Sequence, residues 1–202
     1  MRFKNVFFSL TAVVVLCNSC GSTDIAKYYP ENSIITGMDM HQGTWLLYYV
    51  DAPYKYHDAL YTQASTDFKG LGGHRVIDAT ATQGILLPIA IPLNPTAAQI
   101  KDYHKMCNFD YLINLKAFEV SEDLGVIDLN NHLARSGGSN TGRVTLEIYD
   151  LKNGAIVYSQ TVTGIDQVEE DDNSDFHTHE KVGEIITGCY SRVMKELIKN
   201  LK

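Results

Sequence analysis

Two runs of alternating residues, 143–150 and 155–163, stand either side of Lys152-Asn153-Gly154. Asn and Gly tolerate the positive φ that a tight turn needs, so the two runs are predicted to pair as an antiparallel hairpin. Successive strand side chains point to opposite faces. Val144, Leu146 and Ile148 are therefore expected inward, and Thr145, Glu147 and Tyr149 outward. A sheet with one apolar face has to be covered by another layer. The cover comes next in the chain: Val182, Ile185, Ile186, Cys189, Tyr190, Val193, Met194, Leu197, Ile198 and Leu201 recur at helical spacing. That is a wide apolar stripe, suited to one helix laid flat on a sheet. Glu169-Glu170-Asp171-Asp172 and Asp175 precede it, while Lys195, Lys199 and Lys202 end it. Both charges suit the helix dipole.

Upstream, residues 44–50 are apolar and rich in aromatics, which is the pattern of a central strand covered on both faces. Asp51 and Pro53 read as the cap and first turn of a helix carrying His57, Leu60, Tyr61, Ala64 and Phe68 on one side and stopping at Gly70. A second strand is expected over 74–80, and strand, helix, strand in that order implies a parallel crossover. Asn94-Pro95 then caps a second helix, 95–106, with Ala97, Ile100, His104 and Cys107 on one face. A third strand follows over 110–120, with Tyr111, Ile113, Leu115 and Ala117 at alternate positions. Residues 34–40 add a short edge strand, and 121–142 form a long polar connection. The reading is an α/β domain with a mixed sheet in the order β-α-β-α-β-β-β-α and helices packed on it.

The first twenty residues impose a location. Arg2 and Lys4 precede an apolar run from Val6 to Cys17, and Asn18-Ser19 leads to Cys20. A charged start, a short apolar segment and small residues before the cut make a secretory signal. The apolar run is too short to span a bilayer. The stretch resembles a bacterial lipoprotein signal, in which Cys20 becomes the first mature residue and takes the lipid. An ordinary secreted protein cut nearby is the alternative. The division is 1–19 signal, 20–33 tether wrapping onto the domain, and 34–202 one domain. Seventeen basic residues stand against 24 acidic ones, and two of the basic ones leave with the signal. So acidic a chain repels phosphate backbones and is not expected to bind nucleic acid. Membrane attachment then falls to acyl chains, palmitate among them, and more than one is needed for stable anchoring. Cys107 and Cys189 remain in the mature chain and are expected to be buried on helices, with a disulfide between them as the alternative.

Phe109-Asp110-Tyr111-Leu112-Ile113 and Leu146-Glu147-Ile148-Tyr149-Asp150-Leu151-Lys152-Asn153-Gly154, followed by the amphipathic closing helix, carry a resemblance. The chain from about Gly43 to Lys202 looks like the superfamily that includes the TolB amino-terminal domain, the curli-assembly lipoprotein CsgG and the penicillin-binding-protein activator LpoB. The resemblance implies a lipoprotein of the outer membrane, facing the periplasm, that docks onto other proteins and catalyses nothing. No hairpin like that of the curli channel is present, and only some dozen residues separate Cys20 from the domain.

The oddest segment is 81–94, because connections are usually polar and run over the surface. Ile85, Leu86, Leu87, Ile89, Ile91 and Leu93, interrupted by Pro88 and Pro92, either fill a gap under the sheet edge or present an apolar patch to a protein partner. His177 and His179, with the acidic run before them, are the candidate metal ligands of a rival reading as a metal-dependent hydrolase. At a spacing of two they point to different sides of a helix start, and a solvated helix entry is the plainer account. A third reading, a small-ligand-binding lipoprotein, expects a cavity lined by Tyr48, Tyr49 and Tyr61. Gly70-Leu71-Gly72-Gly73 runs from helix into strand, the reverse of a phosphate loop, and reads as a turn. No cofactor is expected. The expected partners are the membrane, through the lipid, and an envelope protein, with oligomerisation left open.

Overall fold

The chain folds in the order β1 (Lys27–Pro30), β2 (Ile34–Ile35), β3 (Trp45–Leu47), α1 (Tyr54–Gly72), β4 (Val76–Asp78), α2 (Ala97–Cys107), β5 (Tyr111–Glu122), β6 (Ser139–Asp150), β7 (Ala155–Gln167) and α3 (Val182–Lys199). The computed structural model describes residues 26–31, 33–122, 139–167 and 180–202. Seven strands form one mixed sheet in the order β1-β7-β6-β5-β3-β4, with β2 also paired to β7. The α/β class and the packing of helices on the sheet are as read from the sequence.

The hairpin is longer than its alternating runs. β6 and β7 pair from Ser139↔Gln167 to Asp150↔Ala155, with one shift of register between Ile148 and Tyr149. At the turn, the Asp150 carboxylate accepts from the Asn153 backbone N–H (2.9 Å) and side-chain amide (2.7 Å), and Gly154 takes φ +70°. β3 lies between β4 and β5 and is parallel to both, so both expected crossovers form.

Alternation along the strands divides the core in two. Trp45 and Leu47 of β3, with Ile113, Leu115, Val144, Leu146 and Ile148, meet Leu60, Ala64 and Phe68 of α1 and the α3 stripe. Eight α3 side chains from Val182 to Leu197 are buried there. Each full burial of a large apolar side chain contributes ~1.5–3 kcal/mol, so this layer supplies much of the driving force. Leu46, Tyr48, Leu112 and Tyr149 face the other way, against Ile91 and against Ile100 and Tyr103 of α2. α3 approaches the sheet closely because Gly142 and Gly164, cross-strand partners, leave a flat notch. A Cβ at Gly164 would stand 2.5 Å from Ile185 Cγ2, and one at Gly142 would stand 2.9 Å from Ile186 Cγ1.

Several expectations change. Thr145, Glu147 and Tyr149 are not an outward face: they are 4%, 1% and 0% exposed. Residues 91–94 lie over Glu147 and Tyr149, and Thr145 shares a hydroxyl–hydroxyl bond with Thr161. Asp51 does not cap α1. Its backbone continues the pairing of β3 with β5, and its carboxylate takes the Lys116 ammonium at 2.7 Å. Thr96, not Asn94-Pro95, caps α2 through a reciprocal pair with Gln99. The presumed tether contributes β1 to the sheet, and only Ile34–Ile35 of 34–40 is a strand. The polar connection is shortened at both ends by β5 and β6, and its middle, 123–138, lies outside the described residues. Cys107 and Cys189 are both free, half-buried and buried respectively. They pack on opposite faces of the sheet, and because helices and sheet are separate layers, no disulfide can join them.

Candidate functional site

The apolar connection from β4 to α2 forms a strap held down at both ends. Gly84 and Asn94 bound it with φ of +83° and +52°. Several hydrogen bonds tie its backbone, among them one from Tyr149 Oη to Pro92 O at 3.3 Å. Leu86 N–H donates to Met106 O at 3.1 Å, and Tyr48 Oη donates to Pro88 O at 2.6 Å. Asn114 Nδ2 donates to Ile91 O at 3.4 Å, and Asn94 N–H donates to Glu147 Oε2 at 3.0 Å. Pro88 and Pro92 fix φ and need no donor satisfied. The strap therefore has a set shape, and the six candidate residues sort themselves on it. Ile91 is buried at 1% exposure, and Ile85, Leu87 and Leu93 are half-buried. Leu86 is 77% exposed and Ile89 92%. Gap-filling and display, posed as alternatives, are both present, on alternate sides of one segment.

Beneath the strap lies a buried polar network. Tyr149 Oη donates to Glu147 Oε2 at 2.6 Å and accepts from Asn114 Nδ2 at 2.9 Å, and Ser159 Oγ donates to Glu147 Oε1 at 3.3 Å. Burial, and then the Glu147 carboxylate, push the Tyr149 phenol well above its usual range. A phenol held neutral is a donor, which suits a buried carboxylate with no ion pair among the described residues.

Beside the strap is a cleft of about 480 Å³. It is lined by Tyr49, Val50, Asp51, Ala52 and His57, by Ile89, Ala90 and Ile91 of the strap, and by Asn114 of β5. The place has a topological reason. The connection leaving β3 runs to α1 on one face of the sheet, and the one leaving β4 runs to α2 on the other. Neighbouring parallel strands whose connections diverge leave a crevice at their carboxyl ends, the usual ligand position in open α/β sheets. Of the tyrosines expected around a cavity, only Tyr49 lines this one. Tyr48 is buried under Pro88, and Tyr61 bonds Thr80 through its hydroxyl.

The other sequence candidates sort as follows. Cys20, His177 and His179 lie outside the described residues. Among the described residues, no group of three or more His, Cys, Asp or Glu is placed to hold a metal ion. None of their helices is long and apolar enough to cross a membrane. Both motif acids are structural. Asp110 accepts the Thr44 N–H at 2.8 Å and pairs with Lys152 at 2.5 Å, which holds its carboxyl below the usual range, and Asp150 shapes the hairpin turn. His104 binds Phe109 O through Nδ1 at 2.8 Å. Asp78, buried at the end of β4, pairs with Ser65 and Lys69 through Oδ2. A larger open groove beside α3 includes the Glu196–Lys199 pair and Arg192, whose guanidinium lies over the Tyr28 ring. Asn114 was missed in the sequence; a lone polar residue inside an otherwise apolar strand run was the signal that could have found it.

No protein-family model matches this chain, and no curated protein matches it. Solved structures do resemble it. A PelC dodecamer from Paraburkholderia phytofirmans is 14% identical, with 88% of this chain and 99% of that one covered at a TM-score of 0.45. A lipoprotein from Neisseria meningitidis is 10% identical over 78% of this chain and 99% of its own, with a TM-score of 0.39. A neuraminyllactose-binding hemagglutinin homolog from Helicobacter pylori is 15% identical, covers 86% and 92%, and scores 0.37. With such identities and TM-scores, these likenesses say nothing of what this chain binds or does.

Proposed function

We propose that the chain is a lipid-anchored envelope protein of the bacterial outer membrane, facing the periplasm, that works without catalysis by docking onto another envelope protein through the strap. The observation that carries this is the pair Leu86 and Ile89. Single exposed apolar residues are ordinary. These two differ because they project from backbone pinned at several points, including bonds from the buried tyrosines Tyr48 and Tyr149. A segment already ordered loses little freedom on binding, so more of the burial energy appears as affinity. A partner with an apolar depression would remove both side chains from water at ~25 cal/mol per Å² of surface covered. The signal pattern ending at Cys20 supports the anchor, and the two motif stretches like those of the TolB, CsgG and LpoB superfamily support a docking role.

The test is affinity capture from solubilised native envelopes, comparing the parent chain with Leu86→Asp and Ile89→Asp. Both variants should retain the fold and lose the captured protein. Undiminished capture by both would reject the strap as the docking element. Palmitate incorporation that survives Cys20→Ala would separately reject the anchor.

A further inference from the structure

We propose that the cleft beside the strap binds a small organic cation, a primary ammonium on a short apolar body. Asn114 is 1% exposed, yet it lines the cleft. Its Nδ2 is committed to Ile91 O and Tyr149 Oη, and because Ile91 O can only accept, the amide orientation is fixed. Oδ1 has no hydrogen bond to the described residues. It is not sealed from water, so a donor entering the cleft can take the place of a water there.

The second polar group is the Asp51 carboxylate, half-exposed on the wall, with Oδ2 taken by Lys116 and Oδ1 open. His57 is engaged by Asp58 through Nδ1. Asp51 and Lys116 offset one another, and Asp58, bonded to His57, adds one negative charge beside the cleft, on a chain of net charge −7. Acceptors without a committed donor, and a negative field, favour a cationic donor and disfavour an anion. The remaining walls are aliphatic or aromatic: Ile89, Ile91, Ala52 and the half-exposed ring of Tyr49, whose face can also take a cation. The volume of about 480 Å³ lies within the range of small-molecule sites.

The probes are butylammonium, butyrate and butan-1-ol, titrated into the isotopically labelled intact chain and followed by NMR. Butylammonium should give saturable shifts at Tyr49, Ile89 and the Asn114 side-chain amide. Asp51→Asn should weaken it by about twofold to fivefold, the worth of one partly exposed charge. Ile89→Lys alters an exposed position and brings its own ammonium to the cleft, so it should abolish the shifts without unfolding the chain. Leu86→Asp, which should cost protein docking, should leave butylammonium binding unchanged, so this site and the docking reading can fail separately. Absence of saturable shifts, butyrate or butan-1-ol binding as tightly as butylammonium, or full binding by both Asp51→Asn and Ile89→Lys would overturn the proposal.

Discussion

The phenol of Tyr149 donates to the carboxylate of Glu147 across 2.6 Å, two residues away on the same face of β6. The same oxygen of Glu147 also accepts the Asn94 N–H, so a buried pair on the sheet fixes the end of the strap. Tyr149→Phe removes a donor from a buried carboxylate and an acceptor from the Asn114 amide. It should cost about 1–3 kcal/mol, read from the urea midpoint by the fluorescence of Trp45, the chain's one tryptophan. Hydrogen exchange at Asn94 should accelerate by more than that of residues in the β6–β7 ladder.

The strap predicts opposite outcomes for residues two apart. Ile91→Ala empties a buried position and should destabilise the fold by ~2–5 kcal/mol. Ile89→Ala and Leu86→Ala, in water already, should change it by no more than about 0.5 kcal/mol. Comparable losses at all three would mean that the exposed pair is packed in solution.

The glycine notch under α3 is a further test. Gly164→Ala drives a methyl group into Ile185, Tyr28 and Cys189 at 2.5–3.0 Å, and the overpacking should cost about 1–3 kcal/mol. Gly70→Ala, where nothing stands within 4 Å of the added methyl, should be neutral or stabilising.

Burial pushes the Cys189 thiol up to about 12, against an unfolded value near 9.0. The native chain therefore keeps this proton where the unfolded chain loses it. Stability from this group is fully present below pH 9 and is lost as the pH rises towards 12. The buried Tyr149, Tyr158 and Tyr190 act in the same direction at higher pH. Denaturation followed from pH 8 to 11 should show a falling midpoint, and Cys189→Ala should flatten the part below pH 10. A midpoint that rises would contradict the burial of the thiol.

The long-period features were legible in the sequence, and their cover was not. The α3 stripe and the Asn153-Gly154 turn are set by local periodicity and turn chemistry, and both stand where expected, except that Ile198 is 53% exposed and Leu201 lies beyond the helix. The outward assignment of Thr145, Glu147 and Tyr149 failed because alternation shows two faces without showing what lies over the second. Here that cover is a proline-broken loop rather than a regular element. Asp51 and Asn94 each had the residue type of a helix cap and were recruited elsewhere, one by Lys116 across the sheet and one by Glu147 beneath the strap. The cleft was invisible for the same reason: Asn114, Asp51 and Ile89 are brought together by the divergence of two crossovers, which leaves no mark on any one stretch of sequence.

The most direct test places a photo-crosslinking benzoylphenylalanine at position 86 and illuminates intact bacterial envelopes. The docking account predicts one discrete protein adduct that disappears when Ile89→Asp is added. No adduct, or an adduct of equal yield with Ile89→Asp, would contradict it.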